Sequence, residues 1–206
     1  MEFREYWDNS HLKYSMGAIS YDDWLDNYKS ALDECRTKVL DLGCGAGNDT
    51  LYLINKGFKV LSCDYSQVAL DKINQDIEGA ETLLMDISQQ FPFENGSFDL
   101  IIADLSLHYF DESTTFAIMQ EIRRVLTTKG KLIARVNSIE DINYGAQQGV
   151  KIEDNFYFVG GYNKRFFTID DANKFFSCIG SIEIKETDMM RYSKPKKVIE
   201  ICAERK

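Results

Sequence analysis

The chain has 206 residues, enough for one sizeable core, and its 44% hydrophobic and 13% aromatic content excludes a disordered protein. A formal net charge of -9 argues against nucleic acids and anionic membranes as partners, since both require a basic face. Lys194, Lys196 and Lys197 form one small basic cluster, which reads as a solvated turn.

The opening Met-Glu-Phe-Arg-Glu-Tyr-Trp-Asp lacks the basic start and apolar run of a secretory signal. No apolar stretch approaches the ~20 residues needed to span a bilayer. Cys35, Cys44, Cys63, Cys178 and Cys202 lie far apart with no C-x-x-C pair, so neither a metal site nor a disulfide framework is expected. Reduced thiols and a cytoplasmic location follow.

Residues 1–37 are aromatic and precede the first strand; a helix is predicted from about Tyr21 to Cys35. Lys38 to Leu42 reads as a buried strand. A helix from Thr50 to Asn55 turns Leu51, Tyr52 and Ile54 inward and stops at Gly57. Phe58 to Cys63 forms the second strand, and Ser66 caps a helix running to about Asp76. Thr82 to Met85 is a short third strand, and Phe98 to Leu105 a nearly continuous apolar one, as expected at a sheet centre. Phe116, Met119, Ile122 and Leu126 mark an amphipathic helix that Gly130 ends. Lys131 to Val136 is the fifth strand. Residues 138–167 read as a long Gly- and aromatic-rich connection. Ile169 to Phe176 is a short helix, and Ser181 to Met190 and Lys197 to Ala203 are strands around a Ser193-Lys194-Pro195 turn. Alternating strands and helices predict a doubly wound α/β fold with a mostly parallel sheet.

The informative stretch is Asp41-Leu42-Gly43-Cys44-Gly45-Ala46-Gly47, where a buried strand enters a glycine turn and then a helix. Such a turn brings backbone N–H groups close to a ligand at a helix N-terminus. A dinucleotide site wants G-x-G-x-x-G for its pyrophosphate. Here Asn48 and Asp49 stand where the third glycine would fall, and Asp41 and Asp49 add negative charge. A ligand with a cationic part suits this turn better.

In these residues the chain resembles the class I S-adenosylmethionine-dependent methyltransferases. Asp64, 17 residues after Gly47, stands where an acid receives the ribose hydroxyls, with Tyr65 beside it. Asp86-Ile87 stands where the family meets adenine. The segment from Phe91 to Leu100, then Leu107-His108-Tyr109, and finally the turn from Leu126 to Gly130 follow in family order; Thr127-Thr128 replaces the usual Lys-Pro. The resemblance covers about residues 38–137. Arg165 to Thr168 and the hairpin after it are similar to the subgroup of tellurite-resistance methyltransferases.

The resemblance implies a Rossmann-like methyltransferase fold with a seven-stranded sheet whose last strand is antiparallel. The expected organisation is a single domain, 1-206. It comprises an N-terminal lid (1-37), a cofactor-binding core (38-137), a substrate-lid connection (138-168) and a C-terminal helix and hairpin (169-206). The cofactor is S-adenosylmethionine, with S-adenosylhomocysteine as product. It is expected on Asp41, Gly43, Cys44, Gly45, Gly47, Asp64, Tyr65, Asp86, Ile87, Asp104 and Leu105. Methyl transfer is an in-line displacement, in which alignment and exclusion of water do most of the work.

His108 is the candidate base, at the end of the central strand; the alternative is a histidine that only packs there. Cys44 reads as a small side chain in a tight loop. Trp7, His11, Tyr14, Tyr144, Tyr157 and Tyr162 are candidates for the lid and acceptor pocket. The acceptor is expected to be a small molecule. The alternatives are a protein methyltransferase, a non-catalytic cofactor-binding module and, least favoured, an NAD-dependent oxidoreductase.

Overall fold

The computed structural model of the chain describes residues 3–14 and 19–206, with side chains for 4–13 and 19–206. Tyr14, a predicted lid residue, has its side chain outside that set. All counts below refer to the described residues.

Six α-helices are present: α1 Phe3–Tyr14, α2 Lys29–Glu34, α3 Asn48–Asn55, α4 Gln67–Asp76, α5 Glu112–Val125 and α6 Ile169–Phe176. The strands are β1 Val39–Leu42, β2 Val60–Asp64, β3 Glu81–Leu84, β4 Phe98–Asp104 and β5 Leu126–Asn137 in the first half. They continue as β6 Val150–Glu153, β7 Phe156–Val159, β8 Tyr162–Arg165, β9 Gly180–Arg191 and β10 Lys194–Arg205.

Seven strands form one sheet in the order β3-β2-β1-β4-β5-β10-β9. β1 to β5 run parallel, and β10 lies antiparallel to both β5 and β9. This is the Rossmann-like sheet with an antiparallel last strand that the resemblance implies. Strand order reverses between β1 and β4, so the crevice at the carboxyl ends of the strands opens there.

The alternation of β4 explains the two-sided core. Ile101 and Ala103 face α5 and α6 in a cluster with Ile118, Ile122, Phe175 and Phe176. Leu100 and Ile102 face the other way, with Trp24, Leu25, Tyr52 and Leu53. Among the apolar residues of α3, Tyr52 and Leu53 are buried, while Leu51 and Ile54 are half-buried. Helix starts follow side-chain chemistry. Ser66 caps α4, Asp111 caps α5, and Thr168 with Asp171 forms a capping box on α6.

Five sequence expectations change. The helix predicted over 21–35 is a 3-10 turn, Trp24–Tyr28, followed by the six-residue α2; no side chain caps either one. Trp24 is instead fixed by its indole N–H on Asp49, a tertiary tie that overrides local propensity. The helix predicted to end at Gly130 ends at Val125, and Leu126 already pairs with Phe98. Thr127 to Gly130 bulge from the ladder, with the Thr127 hydroxyl on Asp99. The connection over 138–167 is not structureless, since β6, β7 and β8 form a three-stranded antiparallel sheet. The final turn is Tyr192-Ser193, both residues with φ in the left-handed region, and Pro195 pairs with Met190 inside the ribbon. Pro195 is tolerated because β5 pairing begins only at Val198. Finally, Lys196 is not solvated. It is buried, its ammonium donating to Asn137 and Asp141.

Candidate active site

The glycine turn closes directly onto β2. The N–H groups of Gly43 and Cys44 both donate to the Cys63 carbonyl, at 2.8 and 2.9 Å. That of Gly45 donates to Asp64 Oδ2 at 2.8 Å, and that of Ser66 to Asp64 Oδ1 at 2.9 Å. Asp64 thus holds the ends of two strands while each oxygen keeps a second acceptor position for a ligand. Gly43 has φ +76°, and a Cβ there would lie 2.3 Å from that of Ser106, whose hydroxyl donates to the Leu42 carbonyl. Only glycine lets the β1 turn lie against β4 this closely. At Gly47 a Cβ would meet Ile73 at 2.7 Å, so that glycine seats the turn on α4.

Over the turn lies a cavity of about 600 Å³, in the range of small-molecule sites. Asp22, Asp41, Asp49, Asp64, Asp86 and Asp104 line it. Asp41 is buried and receives the Thr50 hydroxyl at 2.7 Å; Thr50 in turn accepts from Ser62 at 2.7 Å. Burial, with the charges of Asp104 and Asp64 nearby, pushes the Asp41 carboxyl up to about 7. The buried carboxyl of Asp49 is also raised, by desolvation and by the charges of Asp104 and Asp41. Asp104 is neutralised by Arg135, which reaches it with Nε at 2.6 Å and Nη2 at 2.8 Å. Arg135 also donates to Asp22 at 3.0 Å and stacks on Trp24 at 4.2 Å.

The predicted cofactor residues converge. Asp41, Gly43, Cys44, Gly45, Asp64, Tyr65, Asp86, Ile87, Asp104 and Leu105 all line the cavity, and Gly47 sits just behind it. Leu105 adopts φ +54° at the end of β4. Ser88 donates to Asp86 Oδ1 with both its N–H, at 2.9 Å, and its hydroxyl, at 2.7 Å, which leaves Oδ2 open. The Cys44 thiol is raised well above its ordinary range by burial and by Asp41 and Asp64, so it is no nucleophile.

The lid residues divide. Trp7 and His11 of α1 line the cavity, His11 being 3.6 Å from where a Gly45 Cβ would stand. Burial lowers the His11 pKa while Asp64 and Asp8 oppose the shift. Tyr162 lies behind the wall, with its ring centroid 5.7 Å from those of Trp7 and Tyr109. Tyr144 and Tyr157 are also away from the cavity. Tyr144 donates to the Arg191 carbonyl, and Tyr157 packs on Phe166. His108, the candidate base, does not line the cavity; Tyr109 does. The His108 imidazole is buried, its pKa is lowered by desolvation and by Lys196, Lys164 and Arg191, and its Nδ1 has no hydrogen-bond partner among the described residues.

Sequence reasoning missed Arg135, Asp22, Tyr109, Phe110 and the segment Met189 to Tyr192, all of which line the cavity. One signal was available for Arg135, a lone charge inside an apolar strand that must find a carboxylate when buried.

The methyltransferase domain profile matches residues 39–130, which is the stretch that builds this floor. Over these residues the chain carries a methyltransferase domain and is similar to the S-adenosylmethionine-dependent methyltransferases. Over 135 residues it is 30% identical to the probable S-adenosylmethionine-dependent methyltransferase TehB of Haemophilus influenzae, covering 63% of this chain and 45% of TehB. A solved methyltransferase of Methanosarcina mazei superposes with a TM-score of 0.72 at 18% identity, covering 91% of this chain and 99% of that one. The 1,6-didemethyltoxoflavin-N1-methyltransferase of Burkholderia thailandensis, solved with that compound and S-adenosylhomocysteine, gives 0.67 at 15% identity. That match covers 98% of this chain and 86% of the other. The last two similarities show the fold. The chain spans about half, or less, of the length of the curated relatives it matches.

This floor fits S-adenosylmethionine, the cofactor of the methyltransferases that the chain resembles. S-adenosylmethionine carries a sulfonium and an ammonium, and the floor offers the buried carboxyls of Asp41 and Asp49 with no cation paired to either among the described residues. A turn whose glycines exclude side chains leaves backbone for the ligand to approach.

Proposed function

We propose that the protein moves the methyl group of S-adenosylmethionine to a small-molecule acceptor in the cytoplasm. The observation that carries this reading is the buried acidic floor, which a cationic ligand would satisfy and a pyrophosphate would not. Asp64 receives the ribose hydroxyls, Asp86 and Ile87 meet the adenine, and Asp41, Gly43 and Gly45 hold the amino-acid end with Asp104 and Leu105. The sulfonium supplies an activated leaving group. The protein's part is to align the acceptor and exclude water, for which Trp7, His11 and Tyr109 form the walls. No step is assigned to His108.

A small acceptor agrees with a cavity partly roofed by α1 and with the net charge of -9, which disfavours nucleic acid. The 1,6-didemethyltoxoflavin-N1-methyltransferase, similar in fold, holds a small molecule beside S-adenosylhomocysteine. No helix of the described residues is long and apolar enough to cross a membrane, and all five cysteines are unpaired, as suits a reducing compartment.

Calorimetric titration with S-adenosylhomocysteine tests the reading. The parent is expected to bind. Asp64→Ala is expected to bind about 30-fold more weakly, near 2 kcal/mol, because a charge-assisted carboxylate contact is lost. A folded parent that binds neither S-adenosylmethionine nor S-adenosylhomocysteine would refute the proposal.

A further inference from the structure

Two arginines line the cavity, and they are held in opposite ways. Arg135 is saturated by Asp104, Asp22 and the Trp24 ring. Arg191 ends β9, immediately before the Tyr192-Ser193 turn, and is half-buried in the cavity wall. Among the described residues no carboxylate pairs with it. Its guanidinium hydrogen-bonds the side chain of Tyr192 and lies 5.2 Å from that ring. Asp104 is within electrostatic reach but is already held by Arg135. Lys164, also half-buried, has the Tyr144 carbonyl at 3.3 Å and the Tyr162 ring but no carboxylate in contact among the described residues, and adds positive charge near Arg191. A half-buried guanidinium with no carboxylate in contact is partly desolvated, and a ligand that brings an anion satisfies it. The guanidinium fork matches a carboxylate in two-point geometry.

Resting on the reading above, we propose that the acceptor is an organic acid whose carboxylate docks on Arg191. The same rim carries Trp7, Tyr109, Phe110 and Met189, and the cavity is about 600 Å³. That apolar wall has nothing to contact in a compact inorganic oxyanion, whereas the body of an aromatic or branched acid fills it. The charge of the cavity is therefore divided: carboxyls for the cationic cofactor on the floor, an arginine for the acid at the rim.

The test uses a panel of aromatic and branched carboxylic acids, each paired with its primary amide, with sodium selenite and sodium sulfate as inorganic anions. Binding to the protein loaded with S-adenosylhomocysteine is read by thermal shift and calorimetry. Acids are expected to bind at least about tenfold more tightly than their amides, the usual scale of a charge-assisted contact. Arg191→Gln should erase that preference and Arg191→Lys should keep part of it, while S-adenosylhomocysteine affinity stays within about twofold in both. That unchanged affinity also shows that the variants fold. Equal binding of acids and amides, acid binding that survives in Arg191→Gln, inorganic anions as the only ligands, or no ligand in the panel would each overturn the proposal. Failure of the parent to bind S-adenosylhomocysteine would instead overturn the methyltransferase reading on which it rests.

Discussion

The floor and the rim of the cavity are built by different means. On the floor, backbone does the holding: the Gly43, Cys44, Gly45 and Ser66 amides tie β1, its turn and β2 into one unit, and Gly43 lies against Ser106 with no room for a methyl group. On the rim, side chains do it. α1 docks through ring contacts of Tyr6, Trp7, Tyr109 and Tyr162 and through Asp8 on Ser66, and the β9–β10 ribbon ends in a turn that no β5 residue pairs with. A floor made of backbone accepts one ligand geometry. A rim made of side chains is adjustable at little cost to the fold.

The largest expected effect would break the floor. Gly43→Ala forces a Cβ into Ser106 at positive φ, and it is expected to cost about 3 kcal/mol, or roughly 6–12 °C in Tm, together with cofactor binding. Thermal melts with and without S-adenosylhomocysteine check this; an unchanged Tm would show that β1 and β4 separate easily.

A smaller effect concerns charge. Because Asp41 titrates at about 7 in the folded protein, the fold retains a proton that the unfolded chain releases from about pH 4. Stability contributed by this group therefore falls as pH rises from about 4 to 7 and is level above. A cationic ligand favours the ionised form, so S-adenosylmethionine affinity should rise about tenfold between pH 6 and 8, with proton release on binding. Calorimetry in buffers of different ionisation heat reads that release, and Asp41→Asn should bind more weakly with a flatter pH profile.

The smallest effect lies on the rim. Tyr192 and Ser193 occupy left-handed backbone that Asn-Gly adopts with less strain, so the double variant Tyr192→Asn, Ser193→Gly should gain about 1 kcal/mol. Chemical denaturation measures it. Cofactor affinity unchanged within about twofold would confirm that rim and floor are energetically separate.

The same division governs what was legible in the sequence. The floor is local: strand, glycine turn and helix lie within 17 residues, from Val39 to Asn55, and Asp64 and Asp86 each end the next strand or follow it. Glycines and strand-end acids announce such a site because their backbone geometry is fixed by neighbours in the chain. Arg135 meets Asp22 and Trp24 from more than 100 residues away, and Arg191 reaches the same cavity from a later strand, so no spacing reveals them. His108 illustrates the limit. Its position at the end of β4 was readable, but the charges that lower its pKa beside its burial, Lys196, Lys164 and Arg191, all come from later strands. The β6–β8 sheet escaped because its glycines and aromatics resemble loop composition, although Phe156 and Arg165 pair and are buried within it.

The seam between β5 and β10 has an evolutionary consequence. Asn137 to Lys131 pair with Val198 to Glu204 through backbone atoms, and such a ladder is largely indifferent to side-chain identity. The floor strands end at Asn137, and Arg191 comes after it in the chain. A single crossover near that residue would exchange one hairpin for another while leaving the floor strands intact, provided Phe175 and Phe176 still find α5. Chain order thus lets the β9–β10 share of the rim, Arg191 included, be exchanged as one piece, while Trp7 and Tyr109 stay with the floor.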